Sequence, residues 1–208
     1  MIVMSEMIDY LNELIPNPVC ELNYTKDYEL LLAVMLSAQT TDKRVNQVTA
    51  ILFQKYPSLQ ALSEANLEDV MEIIRPIGTY HKKAKNVVEI AKALVSLEAF
   101  PKDRQFLESL PGVGRKTTNV VLSTLYDEAC IAVDTHVSRV SIRLGLAKKE
   151  DNVLTIEQKL TKKFKNYNLN RLHHQMILFG RYYCKAVNPM CENCKLKNLC
   201  KRGKNGIK

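Results

Sequence analysis

Apolar residues in this chain of 208 residues recur at intervals of three and four almost from end to end, and that spacing restricts it to helices. In "KNVVEIAKALVSL", Val87, Ile90, Ala91 and Leu94 fall on one helical face. Val137, Val140 and Leu144 do the same in "THVSRVSIRLGL", with Gly145 suited to end the helix. Leu172, Met176 and Phe179 repeat the pattern before Gly180. The run "LLLAVMLSA" at 30–38 is apolar all round, which suits a helix buried on every side and falls far short of a membrane span. Asn66 with Asp69 resembles a capping pair before "VMEII", and Pro76 stops that helix. Alternating strands with Asn-Gly or Asp-Gly turns, internal repeats and Gly/Ser linkers are missing. The expected fold is all-α, with about ten helices of ordinary length.

An apolar content of 46% fits a globular chain, and 7% aromatic residues with no Trp makes its core mostly aliphatic. The length allows one large domain or two small ones. "MIVMSEMIDYLNEL" is too polar, with acids too early, for a signal peptide, so a soluble, cytoplasmic protein with no membrane partner is expected. The formal charge of +8 fits a polyanionic partner or merely a basic surface. Residues 184–208 hold seven Lys or Arg and one acid, so +6 of that charge lies in a tail threaded with cysteines.

"LPGVGRKTTNVV" at 110–121 invites comparison with a phosphate-binding loop of nucleotide enzymes. A Walker loop needs glycine directly before its lysine, but Arg115 stands there and Gly112 is too close to Lys116. A dinucleotide fingerprint needs a third glycine where Thr117 stands, and both motifs follow a strand, whereas "DRQFLESL" is helical in pattern. What remains is helix, Pro-Gly-Val-Gly turn, helix. Such a turn aims backbone N–H groups and a helix N-terminus outward as an anion site, and its glycines let a DNA backbone approach closely.

Four of the six cysteines, Cys184, Cys191, Cys194 and Cys200, form C-x6-C-x2-C-x5-C. Without a secretory signal this spacing points to a metal rather than disulfides, and four thiolates suit structural zinc or an iron–sulfur cubane. Cys20 and Cys130 are isolated and read as buried small hydrophobes.

"LPGVGRKTTNVV", "VDTHVSRVSIRLGL" and the cysteine tail together resemble the endonuclease III family of DNA glycosylases. "LLLAVMLSAQTTD", "EIIRPIGTYHKKAKNV" and "LHHQMILFGRYYC" extend the resemblance through nearly the whole chain in family order. It implies a two-domain helix-hairpin-helix enzyme that removes oxidised pyrimidines from duplex DNA and then nicks the abasic strand. A six-helix barrel at 20–129 would contain the hairpin (103–126), and 1–19 with 130–208 would form a helical domain around a [4Fe-4S] cluster. The hairpin would face the cleft between them, and a monomer is expected. By the same resemblance Lys116 is the nucleophile, Asp134 its carboxylate partner, and Cys184, Cys191, Cys194 and Cys200 the iron ligands. Gly112, Val113, Gly114 and Arg115 contact the DNA, His136 helps hold phosphate, and Gln39 fills the gap left by a flipped base.

The chemistry needs those residue types. Breaking the glycosidic bond develops positive charge at C1′, which a carboxylate stabilises while assisting proton transfer. A neutral lysine attacks C1′ and forms a Schiff base. A lysine of pKa ~10.4 is only about 0.04% neutral at pH 7, so positive neighbours such as a helix N-terminus and an arginine favour the reaction. Asp134, beyond the next helix, could face Lys116 across a cleft. The plainer roles are phosphate contact for Lys116, helix capping for Asp134 and turn-making for Gln39. His173 and His174 read as structural. Two features depart from the family pattern. Thr79 stands where a bulky wedge after "RPIG" is common, with Tyr80 beside it. The loop "KAVNPM" carries only Lys185, the basic charge lying instead at Lys195, Lys197, Lys201, Arg202 and Lys204. A mismatch-specific sister glycosylase would typically lack Lys116. A non-catalytic DNA-binding module with a structural zinc would leave Lys116 and Asp134 together unexplained.

Overall fold

The computed structural model describes residues 4–200. Regular structure in that range is helical: α1 (Met4–Leu14), α2 (Asp27–Leu36), α3 (Asp42–Lys55), α4 (Leu59–Ser63), α5 (Leu67–Ile74), α6 (Tyr80–Leu94), α7 (Arg104–Ser109), α8 (Arg115–Tyr126), α9 (Thr135–Arg143), α10 (Val153–Lys163) and α11 (Leu169–Leu178), which continues into a π-helical turn, Phe179–Tyr183. No described helix is long and apolar enough to cross a membrane. The chain divides into two compact units, Cys20–Tyr126 and Met1–Val19 with Asp127–Lys208. Lys201, Arg202 and Lys204 lie outside the described residues.

Local chemistry sets most helix starts. Thr41, Ser58, Asn66, Asp103, Asp134, Asn152 and Asn168 each precede a helix, and their side-chain oxygens accept a bond from a first-turn N–H. Each cap is worth about 1 kcal/mol. At α5 only half of the expected pairing forms: Asn66 accepts from the N–H groups of Glu68 and Asp69, while the Asp69 carboxylate turns to Lys55 at 2.8 Å. α2 begins differently, with the buried Glu29 carboxylate accepting from the N–H of Thr25 (2.7 Å) and of Lys26 (3.2 Å) and from the Thr25 hydroxyl (2.9 Å).

In the Cys20–Tyr126 unit, α2 runs through the core. Every residue from Tyr28 to Leu36 is buried, and α3, α6 and α8 pack around it. Four of its leucines (Leu30, Leu31, Leu32 and Leu36) are fully buried, each contributing about 2 kcal/mol of hydrophobic stabilisation. Val87, Ile90, Ala91 and Leu94 of α6 are buried as their spacing predicts, and α6 packs against α4 and α5. Cys20 is partly buried against this core.

The other unit joins both ends of the chain. Met7, Leu11, Phe164 and Met176 are among its fully buried residues. Arg171 of α11 ties α1 in place, donating from Nε to Asn12 Oδ1 (3.0 Å) and from Nη2 to the Pro16 carbonyl (2.7 Å). Gln175 Nε2 also donates to Asn12 Oδ1 and to the Ile15 carbonyl. Cys130, His173 and His174 are buried here. Gly145 ends α9 with φ of 72°, and the Leu146 N–H closes back on the Ser141 carbonyl at 2.9 Å. Gly180 does not end its helix. The backbone continues through it, and the Cys184 N–H bonds the Phe179 carbonyl at 2.7 Å. Its lack of a side chain serves packing, since a Cβ there would lie 2.8 Å from His136 Cβ and 3.2 Å from His136 Cα.

Candidate active site

The hairpin joins α7 to α8 within the Cys20–Tyr126 unit. Its turn closes through the Val113 N–H to the Leu110 carbonyl (3.1 Å), and the buried side chains of Leu110 and Val113 anchor it. Val113 can therefore meet a ligand only through its backbone. The two glycines differ. Gly112 has φ of 80°, and a Cβ there would overlap the Asn86 amide nitrogen and touch Met35 Cγ at 3.4 Å, so the fold itself demands glycine. At Gly114 a Cβ would meet nothing within 4 Å, leaving open space in front of the backbone. Gly114 also opens α8, its carbonyl accepting from the Thr118 N–H at 3.0 Å. First-turn N–H groups of a helix lie outside its own hydrogen-bond ladder, and they carry its partial positive charge. Arg115 and Lys116 occupy that first turn, both exposed. Arg104 braces the hairpin, donating from Nη1 to the buried Asn119 Oδ1 at 2.7 Å.

Gln39 lies on the turn after α2 and is exposed with a left-handed backbone, φ 59°. A non-glycine residue in that region costs about 1–3 kcal/mol and persists only where its surroundings over-determine it. Ser37 Oγ donates to the Val34 carbonyl (2.8 Å), and the Thr40 N–H to the Ser37 carbonyl (3.0 Å). Lys83 of α6 supplies what the motifs did not indicate. Its Nζ donates to the carbonyls of Leu36 (2.9 Å) and Ala38 (2.7 Å). Burial lowers its pKa, and Lys83 has no carboxylate partner among the described residues. A sequence signal existed: Lys83 precedes Val87, Ile90 and Leu94 on the apolar face of α6. Thr79 is also left-handed, φ 57°, and is followed by Tyr80 and His81 stacked with centroids 4.0 Å apart.

Asp134 caps α9, its Oδ1 accepting from the Val137 N–H at 2.7 Å, which leaves Oδ2 outside that bond. The plainer capping role is thus filled, and the half-buried carboxylate retains an oxygen for other chemistry. His136 lies in the next turn, its Nδ1 3.1 Å from Arg139 Nη2. Arginine can only donate, so Nδ1 accepts and Nε2 carries the ring proton. Arg139 also donates to the Gly180 carbonyl (2.7 Å) and the Cys184 carbonyl (3.1 Å), linking α9 to the π turn and the cysteine loop.

Cys184, Cys191, Cys194 and Cys200 line one cavity of about 240 Å³. Among the described residues, no three His, Cys, Asp or Glu converge tightly enough to hold a single metal ion. Four thiols lining one cavity are a donor set that fits either a structural zinc or an iron–sulfur cluster. Arg143 organises the loop, donating from Nη1 to the carbonyls of Cys184 (3.1 Å) and Lys185 (2.7 Å) and to Cys184 Sγ (3.3 Å). Burial pushes the Cys194 thiol up, and burial together with that neighbouring thiol pushes Tyr10 up to about 12. Lys197 lines the same cavity, while Lys195 pairs with Glu13 on the surface.

An all-helical chain with this hairpin fits the HhH-GPD superfamily, described as base excision DNA repair proteins, whose family model matches residues 32–166. Endonuclease III of Bacillus subtilis (strain 168) is 44% identical over 198 residues, covering 94% of this chain and 90% of the relative. Endonuclease III of Escherichia coli (strain K12) is 43% identical over 197 residues, covering 94% and 93%. The solved structure of a trapped endonuclease III–DNA covalent intermediate superposes with a TM-score of 0.91 at 43% identity and covers 99% of each chain. A thermostable thymine-DNA glycosylase shares the fold, with a TM-score of 0.85 at 18% identity. The chain belongs to the endonuclease III family, whose members are DNA glycosylases with AP lyase activity in base excision repair.

Proposed function

We propose that this chain excises oxidised pyrimidines from duplex DNA and cleaves the abasic strand, with Lys116 as nucleophile and Asp134 as its carboxylate partner. The observation that carries this reading is the exposed Lys116 in the first turn of α8, directly after a turn whose Gly114 leaves open space before its backbone. A relative 43% identical over nearly the whole chain forms a covalent intermediate with DNA, and an exposed lysine amine is suited to that chemistry.

In this mechanism the backbone of Gly112–Gly114 and the start of α8 hold phosphate, assisted by Arg115 and by His136 through Nε2–H. The damaged base leaves the stack and Gln39 occupies its place. The Lys116 amine attacks C1′, the bond from C1′ to the base breaks, and the base departs with the bonding electrons and a proton. Asp134 stabilises positive charge at C1′ and assists proton transfer. Ring opening gives a Schiff base. Loss of a C2′ proton then expels the 3′ phosphate, and water releases the sugar from Lys116. The enzyme acts on DNA in the cytoplasm.

Cys184, Cys191, Cys194 and Cys200 would hold a [4Fe-4S] cluster, a reading supported by four thiols lining one cavity in a member of the endonuclease III family. When bound, the cluster supplies thiolate–iron cross-links that stabilise the C-terminal loop. Borohydride in the presence of an abasic duplex tests the central claim. Wild type is expected to cross-link and Lys116→Gln to stay free, whereas failure of wild type to be trapped refutes the lyase assignment. A yellow-brown preparation supports iron–sulfur, and a colourless anaerobic one containing zinc opposes it.

A further inference from the structure

Lys83 is a buried lysine on the apolar face of α6, and its ammonium meets two main-chain carbonyls rather than a carboxylate. Burying a cation is costly, and leucine or methionine would fill the space on α6 without that penalty. What the ammonium adds is direction. Leu36 is the last residue of α2, so its carbonyl belongs to the negative end of the helix. The Ala38 carbonyl shares a planar peptide with the Gln39 N–H. Holding that oxygen at 2.7 Å fixes the plane from which Gln39 departs, and Gln39 is the residue with φ of 59°.

The same face of α6 reaches the hairpin. Asn86 follows Lys83 by three residues, and its amide lies against Gly112. A single helix thereby braces the Gln39 turn with one side chain and the hairpin turn with another. We propose that Lys83 is a positioning residue that holds Gln39 in its left-handed conformation, ready to enter the space left by an extruded base. The proposal rests on the gap-filling role given to Gln39 above. Lys83 touches neither DNA nor the reacting atoms and acts through the Ala38–Gln39 peptide.

A double-mutant cycle tests it. Excision of a damaged pyrimidine from a paired duplex and cleavage at a preformed abasic site are measured for wild type, Gln39→Ala, Lys83→Met and the double variant, with folding checked by circular dichroism. Each single variant is expected to lose about 10- to 100-fold in excision, with a smaller loss on the abasic duplex, which has no base to extrude. The double variant is expected to match the more impaired single variant, because both changes remove one interaction. Losses that multiply, or an unimpaired Lys83→Met beside an impaired Gln39→Ala, overturn the role of Lys83 alone. Equal losses on both substrates in Lys83→Met identify a general structural role and also overturn it. An unimpaired Gln39→Ala overturns the gap-filling role itself, and the proposal with it. Should Lys83→Met fail to fold, Lys83→Leu, which likewise removes the donor to the Ala38 carbonyl, passes through the same cycle with the same expectations.

Discussion

Replacing each hairpin glycine by alanine separates a demand of the fold from a demand of the ligand. At Gly112, φ of 80° makes any L side chain strained, a cost of about 1–2 kcal/mol. The new Cβ would also overlap the Asn86 amide nitrogen and lie 3.3 Å from its Cγ, in a place where the Asn86 side chain is buried. Forced repacking of that kind adds about 1–3 kcal/mol. Gly112→Ala should therefore lose about 2–5 kcal/mol, a large share of an ordinary domain's stability. Gly114→Ala meets nothing within 4 Å. Alanine is a poorer helix cap than glycine but reduces unfolded-state entropy, and these effects offset to within about 1 kcal/mol. Its methyl group, however, stands where a DNA backbone would approach. Urea unfolding followed by circular dichroism gives the stabilities, since the chain has no Trp to report. Fluorescence anisotropy with an abasic-analogue duplex gives the affinities. Gly112→Ala should shift the urea midpoint strongly, while Gly114→Ala should leave it nearly in place and still bind DNA more weakly. A stable Gly112→Ala refutes the steric account of that glycine. A Gly114→Ala that binds like wild type refutes close approach of DNA at that position.

Asp134→Asn should keep the α9 cap and wild-type stability yet lose excision, whereas Asp134→Ala should also lose about 1 kcal/mol, both read by unfolding and single-turnover assays. Gly180→Ala, whose Cβ would press on the His136 backbone, should cost about 1–3 kcal/mol in a thermal or urea melt. Burial holds the His174 pKa below 6.5, so the unfolded chain takes up a proton first as pH falls; stability should decline below pH 6.5, and His174→Gln should flatten that slope in melts from pH 5 to 7.5. Asp151, held low first by the Lys159 hydrogen bond, contributes stability above pH 3.8 that is lost as pH falls through its folded value, so the deficit of Asp151→Asn at neutral pH should disappear at strongly acidic pH.

Helix type, the caps and the chemical inventory were local properties and could be read directly. Burial along α2 and α6 follows from residue spacing, and Asn66 and Gly145 act within a turn of where they stand. The hairpin was legible because its glycines, arginine and lysine fall at 112–116, and the cysteine tail because its four cysteines lie within 17 residues. Other features depended on distant partners. Gly180 follows an apolar helical pattern, but close approach to His136, 44 residues earlier, makes it a packing position within a π turn. Lys83 was not singled out by any motif, because its carbonyl partners lie 47 and 45 residues away. Gln39 and Thr79 carry no glycine-like signal, yet both are left-handed. The sequence by itself determined the helices, their caps and the setting of Lys116 at the start of α8, since these depend on neighbours within a few residues. Only the tertiary structure decided that Gly112 belongs to the fold while Gly114 faces open space, and that a buried lysine holds the Gln39 turn, because burial and strain arise where distant segments meet.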